Sequence, residues 1–281
     1  MGNPAGKILG LNQPCRFYEA LEICVRIINK KVPSDLRRDY ESRIYAEGIR
    51  QDLDLVRKVV PTRDALVLDL GCGKGHLSAI LSGYGYSVIG LDIPTTIGEQ
   101  LEIVAPEWHV NIWKELKRKF DVSYCLGDGR SLPIRSNHLE AVLAYGVIEH
   151  ISNGVSLTNL LNNVERVLKP GGLFFVFRCP RDESYAEKLC SILKLPHHQR
   201  RFSETDIIRL LMNTGLRLIK FERMDIVPMF PPKFLQQIWN LLWPFFRFVE
   251  FALLKTPLAR FSHNLRLVAM KKRFEETTNN N

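Results

Sequence analysis

The sequence predicts an α/β protein: a doubly wound, mostly parallel seven-stranded sheet with helices on both faces and a helical insertion before the last strand. Three observations predict it. Residues Val67-Leu68-Asp69-Leu70 run as an apolar strand straight into the glycine-rich turn Gly71-Cys72-Gly73-Lys74-Gly75, and a second strand, Ser87-Val88-Ile89-Gly90-Leu91, closes on Asp92. From Ala65 onward, strand patterns alternate regularly with helical ones. A stretch crowded with aromatic residues then separates this alternation from a final apolar run, Leu265 to Met270.

In chain order, Cys15 to Lys31 place Phe17, Leu21, Cys24, Val25 and Ile28 at helical spacing, and Pro33-Ser34-Asp35 ends that helix. Residues 40–60 repeat the spacing with Tyr45, Ile49, Leu53, Val56 and Val60. Residues 1–60 are therefore expected to lie over the mouth of the sheet as a helical lid, with simple packing as the alternative. The core, 61–229, has strands at 65–70, 87–91, 122–126, 140–145, 172–178 and 216–226. Its helices fall near 75–83, 156–168, 182–193 and 204–213, the last capped by Ser203-x-x-Asp206. Pro106 to Phe120 is a polar, Trp-bearing region, and Lys169-Pro170-Gly171-Gly172 is a structural turn before the fifth strand. Residues 230–262 are an aromatic helical insertion, 263–273 the last strand and 274–281 a polar tail.

The strand–turn–helix–strand unit is a nucleoside half-site. Gly71 and Gly73 let the main chain approach a ligand closely, and Asp92 is placed to accept hydrogen bonds from both ribose hydroxyls. The dinucleotide fingerprint asks for a further glycine where this chain has His76. Ligands on such sheets bind beyond the carboxyl ends of the strands. After strand three stands Gly127-Asp128-Gly129, whose acid can accept from an adenine amino group; a helix N-cap or a solvated loop position is the alternative role for each of these acids. After strand four stands Tyr145-Gly146-Val147-Ile148-Glu149-His150.

The spacing Asp-x-Gly-x-Gly-x-Gly resembles the first motif of class I S-adenosylmethionine-dependent methyltransferases. Across 65–179 the chain is similar to the ubiquinone and menaquinone biosynthesis type, through Gly127-Asp128-x-x-x-Leu132-Pro133, Val147-Ile148-Glu149-His150-Ile151 and Val167-Leu168-Lys169-Pro170-Gly171-Gly172. The resemblance implies S-adenosyl-L-methionine as cofactor, bound through Asp69, Gly71, Gly73, Asp92, Asp128, Gly129 and Tyr145. Within that set Asp69 and Gly71 would border the methionine part, Asp92 the ribose, Asp128 the adenine and Tyr145 the sulfonium. Some quinone-pathway relatives carry Glu-x-x-Glu-His after strand four and can hold a divalent metal. Here Gly146 replaces the first Glu, two ligands from one turn make a poor site, and no metal is expected.

For a hydroxyl acceptor a base must take the proton, and His150 is the first candidate, its alternative role being a bond to the helix start. His197 and His198, in a loop that often covers the acceptor site in the family, are second candidates, with a solvated loop as their alternative.

Composition limits the partners. The formal net charge is +9, yet residues 61–232 carry 20 basic against 19 acidic side chains, while 233–273 carry 8 against 1. A near-neutral core and a basic C-terminal segment point to a local anionic surface and away from nucleic acid. The cysteines show no C-x-x-C pair and read as reduced thiols of a cytosol-facing, cytoplasmic protein. No secretory signal is visible, and Gly6 stands where a Met1-Gly2-Asn3 myristoylation start needs Ser or Thr.

Between Phe230 and Phe251 the aromatics Phe230, Phe234, Trp239, Trp243, Phe245, Phe246, Phe248 and Phe251 lie beside Lys233, Arg247, Lys255, Arg260 and Arg266. Polar residues interrupt this stretch too often for a membrane span. Two short helices meeting at Pro244 are expected, with Trp239, Trp243 and Phe246 on the face that enters an anionic membrane surface; a cap on the core or a homodimer contact are the alternatives. The expected enzyme methylates an oxygen on a lipid-linked or amphiphilic small molecule. Methylation of a soluble metabolite or of RNA, and a non-catalytic scaffold, are the competing readings.

Overall fold

The computed structural model describes residues 16–32, 42–60, 65–93, 107–151, 153–194, 197–198, 200–228 and 235–273. The myristoylation-like start, Cys15, the 33–35 breaker, Phe230, Phe234, Lys233 and the polar tail lie outside them. Seven strands form one sheet in the order β3-β2-β1-β4-β5-β7-β6. They are β1 (Leu66–Leu70), β2 (Ser87–Asp92), β3 (Val122–Leu126), β4 (Leu139–Tyr145), β5 (Leu168–Pro180), β6 (Leu216–Met224) and β7 (Asn264–Lys271). Strands β1 to β5 pair in parallel, and β7 runs antiparallel between β5 and β6.

Helices cover both faces: α1 (Arg16–Lys31), α2 (Arg43–Val59), α3 (His76–Gly83), α4 (Glu107–Lys117), α5 (Gly154–Val167), α6 (Tyr185–Ile192), α7 (Glu204–Asn213) and α8 (Gln236–Leu253). Strand alternation divides the core. Val67, Leu143 and Phe175 pack with Leu21, Ile28, Ile49, Ile80 and Leu116 on one face. Leu68, Val142 and Phe174 pack with Leu157, Leu161, Ile207 and Leu211 on the other. The same alternation sends Asp69 to the α3 side, where it is buried.

Three expectations are corrected. The Trp-bearing stretch after Pro106 is helix α4, whose Ile112 and Leu116 belong to the core. Lys169-Pro170-Gly171-Gly172 lies inside β5 as an irregularity: Leu139 pairs Leu168 and Ala141 pairs Leu173, so the four residues bulge opposite Glu140. The aromatic insertion is one helix with Pro244 inside it. An interior proline costs about 3 kcal/mol, and Trp243, buried against Ile44 with Trp239 and Phe246 packed around it, holds the helix together across that point.

That contact also reverses the expected face of α8. Trp243 is 5% exposed and Trp239 and Phe246 are half-buried, whereas Ile238, Leu241, Leu242, Phe245, Phe248 and Phe251 are exposed. The inward aromatics answer to Ile44 on α2, a partner that no local pattern reveals. Among the described residues no helix is long and apolar enough to cross a membrane.

Candidate active site

The glycine turn after β1 is built for close approach. Gly71, Gly73 and Gly75 all have positive φ (69°, 51° and 80°). A Cβ on Gly71 would sit 2.6 Å from Val147 Cγ2, so the turn after β1 and the Val147–His150 turn after β4 press directly together. A Cβ on Gly75 would strike the Tyr124 ring, but at Gly73 the nearest atom is Asp92 Oδ2 at 4.0 Å, which leaves that flank open. Trp113 of α4 donates its indole N–H to the Gly73 carbonyl, and Tyr124 donates its hydroxyl to the Gly75 carbonyl, both at 2.8 Å. Sequence reasoning missed this aromatic clasp.

Asp92 accepts from the backbone N–H of Gly73 (2.5 Å) and of Ile93 (2.7 Å), one bond per oxygen, leaving lone pairs on both. Asp69 accepts from Ser78 Oγ at 2.5 Å through Oδ2, while Oδ1 is buried with no hydrogen-bond partner among the described residues. Burial raises the Asp69 carboxyl to about 7, with Asp92 adding repulsion. A buried acceptor without a donor, beside an open glycine flank, fits a ligand carrying an ammonium group and a ribose.

Asp128 takes the capping role that stood as the alternative to an adenine contact. It caps the short 3₁₀ turn Gly129–Ser131, and both its oxygens are taken by Arg130, which holds its pKa down. A donor from an adenine would have to share it. Gly129 is fixed by packing: a Cβ there would lie 3.0 Å from Leu70 Cδ1 and 3.2 Å from Leu160 Cδ1.

Tyr145 ends β4 in a polar cluster that the sequence did not disclose. Its hydroxyl accepts from Arg178 Nε at 2.9 Å, and burial keeps the phenol protonated, so the O–H remains available to donate. Arg178 reaches Asp225 at 2.7 Å and Asp52 of α2 at 3.7 Å, while Asp52 also pairs with Arg266. Arg178 and Asp225 both adopt positive φ (60° and 62°), strain of the kind that surrounding contacts must enforce. Glu250 of α8 accepts from the Asp225 backbone N–H, and burial raises its carboxyl to about 7. At the other end of α2, the Tyr45 hydroxyl stands 3.1 Å from His76 Nε2. Helix α2 thus touches the first residue of α3 and residues near the ends of β5 and β7.

In the turn after β4, His150 is half-exposed and its Nε2 lies 3.9 Å from Glu149 Oε1. Glu149 is buried, its Oε2 has no hydrogen-bond partner among the described residues, and burial raises its carboxyl to about 7. The His150 and His198 ring centroids are 6.3 Å apart. His197 is exposed. The expectation of no metal weighed only Glu149 and His150. The fold brings Glu187, His198 and His263 together beside them.

Residues 68–176 match the family model for a methyltransferase domain. The chain is 26% identical over 228 residues to the sterol 24-C-methyltransferase of Saccharomyces cerevisiae, covering 75% of this chain and 56% of that enzyme, so it spans about half that relative's length. It is also 26% identical over 215 residues to the ubiquinone biosynthesis O-methyltransferase of Dinoroseobacter shibae, covering 73% of this chain and 78% of the relative. The solved phosphoethanolamine N-methyltransferase 2 of Haemonchus contortus, in complex with S-adenosyl-L-methionine, superposes with a TM-score of 0.54 at 20% identity, over 80% of this chain and 52% of the other. That level of likeness shows a shared fold.

Proposed function

The chain carries a class I, S-adenosylmethionine-dependent methyltransferase domain, and from that premise we propose that it methylates an oxygen of a lipid-linked or amphiphilic small molecule. The observation that carries the reading is the contact between Gly71 and Val147, which puts the glycine turn for the cofactor against the turn bearing Glu149 and His150.

Bound there, the cofactor supplies a methyl carbon made electrophilic by its sulfonium. This chain's residues do the rest. Asp92 would hold the ribose, Asp69 Oδ1 the ammonium group, and Tyr145 would stand by the sulfonium with its hydroxyl fixed by Arg178. Asp128 would border the adenine, sharing its carboxylate with Arg130. His150 would take the proton from the attacking hydroxyl, with the Glu149 carboxylate placed to steady the imidazolium. Helix α2, latched by Asp52, would exclude water as a lid.

Two observations support an amphiphilic acceptor. The relatives are named for a sterol and for ubiquinone biosynthesis. The outer face of α8, with Leu241, Phe245 and Phe248 exposed and Arg247, Lys255 and Arg260 near it, suits a peripheral seat on an anionic membrane surface. Incubation of the full chain with cofactor and a lipid extract, followed by mass spectrometry for a new methyl ether, tests this reading. Product only from the water-soluble extract would replace it with a soluble metabolite.

A further inference from the structure

Glu187 of α6, His198, and His263 just before β7 are far apart in sequence, yet one ligand atom from each lies within 4.8 Å of the other two. Glu187 Oε1 stands 2.7 Å from His198 Nδ1 and 3.6 Å from His263 Nε2. Around a first-row ion with bonds of about 2.1 Å, neighbouring ligand atoms stand about 3 Å apart. Small side-chain shifts would reach that spacing. We propose that Glu187, His198 and His263 form a binding site for a first-row divalent transition-metal ion.

Two of the three ligands are steadied by a second contact, as metal ligands usually are. The other Glu187 oxygen accepts from the backbone N–H of His198 at 2.9 Å. His263 Nδ1 stands 2.9 Å from Ser184 Oγ, which fixes the ring with Nε2 toward Glu187. The Glu187 side chain is only 4% exposed, and it pairs with the two imidazoles of His198 and His263, so the buried carboxylate faces two metal-competent nitrogens. Two nitrogens and one carboxylate favour ions such as Zn²⁺ or Co²⁺ over Mg²⁺ or Ca²⁺.

Three protein ligands leave at least one coordination position open. His150 is the neighbour of His198, so an acceptor oxygen near His150 would be within reach of the ion. That consequence rests on the reading of His150 above; the site itself does not.

The test is titration of the chelator-treated, tag-free full chain with Co²⁺, read by its ligand-field absorption, and with Zn²⁺ by calorimetry. One equivalent should bind, and a large excess of Mg²⁺ should leave the Co²⁺ spectrum unchanged. His198→Ala, at a half-exposed position, and His263→Ala should each weaken binding by about a hundred-fold or more, while the exposed His197→Ala should bind like the parent. Melting curves identify variants that fail to fold; if His263→Ala unfolds, His198→Ala decides. Absence of saturable binding would overturn the site and leave a hydrogen-bonded cluster. Binding unchanged in folded His198→Ala, or Mg²⁺ competing as readily as Co²⁺, would overturn it as well. Because the readout is metal binding, none of these outcomes depends on methyl transfer.

Discussion

Trp113 donates its indole N–H to the carbonyl oxygen of Gly73 at 2.8 Å while its ring stacks on Tyr124, 5.3 Å between centroids and 7° between planes. Helix α4 therefore braces the open flank of the glycine turn from outside. Trp113→Phe keeps most of the packing and removes one hydrogen bond worth about 0.5–1.5 kcal/mol. Cofactor affinity, measured by calorimetry, should fall by up to about ten-fold, and the melting temperature should drop by a few degrees. Trp113→Ala should instead destabilise the fold by about 3–5 kcal/mol.

Asp92→Ala removes the acceptor for the ribose and also releases the Gly73 and Ile93 N–H groups. Charge-assisted bonds are worth about 1.5–3 kcal/mol each, so affinity for S-adenosylmethionine should drop by at least about ten- to a hundred-fold. Retention of parental affinity in a folded Asp92→Ala protein would remove Asp92 from the ribose site.

The Asp69 carboxyl, raised to about 7 by burial, should report on the cofactor's ammonium group. A cation at Oδ1 favours the ionised form and lowers that pKa. Binding should therefore release a proton between the ordinary carboxylate range and about 7, and affinity should rise with pH through that window. Calorimetry at about pH 6.5 in buffers of different ionisation enthalpy measures the release, and Asp69→Asn should abolish it. The sign for folding is opposite. With Asp69, Glu149 and Glu250 all raised, stability from these groups is fully present below their unfolded pKa values and is lost as pH rises through about 7.

On α8 the two faces should separate cleanly. Replacing Leu241, Phe245 and Phe248 together with Ser should abolish sedimentation with anionic vesicles and leave the melting curve close to the parent's, because all three are exposed. Trp243→Ala should cost about 3–5 kcal/mol by opening a cavity against Ile44. A parent protein that ignores anionic vesicles would leave the exposed face to a second copy of the chain or another partner.

The sheet was legible because each of its determinants is local. A period-two apolar run, a glycine obliged to positive φ at Gly71, and the Ser203 hydroxyl accepting from the Asp206 N–H at 3.0 Å all lie within a few residues of what they fix. Asp69, Asp92 and the Glu149–His150 turn were legible for the same reason, since strand ends are countable. What escaped depends on single side chains meeting across long separations. Trp113 finds Gly73, Asp52 finds Arg266, and Glu187 finds His263, with no spacing to announce any of them. The face of α8 was misread because an aromatic stripe states that a side is apolar but not whether Ile44 or solvent lies opposite. Asp128 was legible as an acid at a strand end, but its capture by Arg130 two residues on was not.

His150 separates base catalysis from a helix-start role. Its backbone N–H bonds the Val147 carbonyl at 3.0 Å, so that turn has a main-chain bond that survives loss of the imidazole. His150→Ala should lower turnover by about a hundred-fold or more while cofactor affinity and melting temperature stay near the parent's. Equal loss of turnover and affinity, or loss of stability alone, would assign the ring a structural role.

Methyl transfer at the strand-end site is the central claim, and the most direct measurement is transfer of labelled methyl from S-adenosylmethionine into a lipid extract by the full chain. Label should appear in a lipid-soluble ether product with the parent protein, little of it with His150→Ala, and little with Asp92→Ala unless cofactor is raised to saturation. No transfer to any fraction by a parent protein that binds the cofactor, or undiminished transfer by both variants, would contradict it.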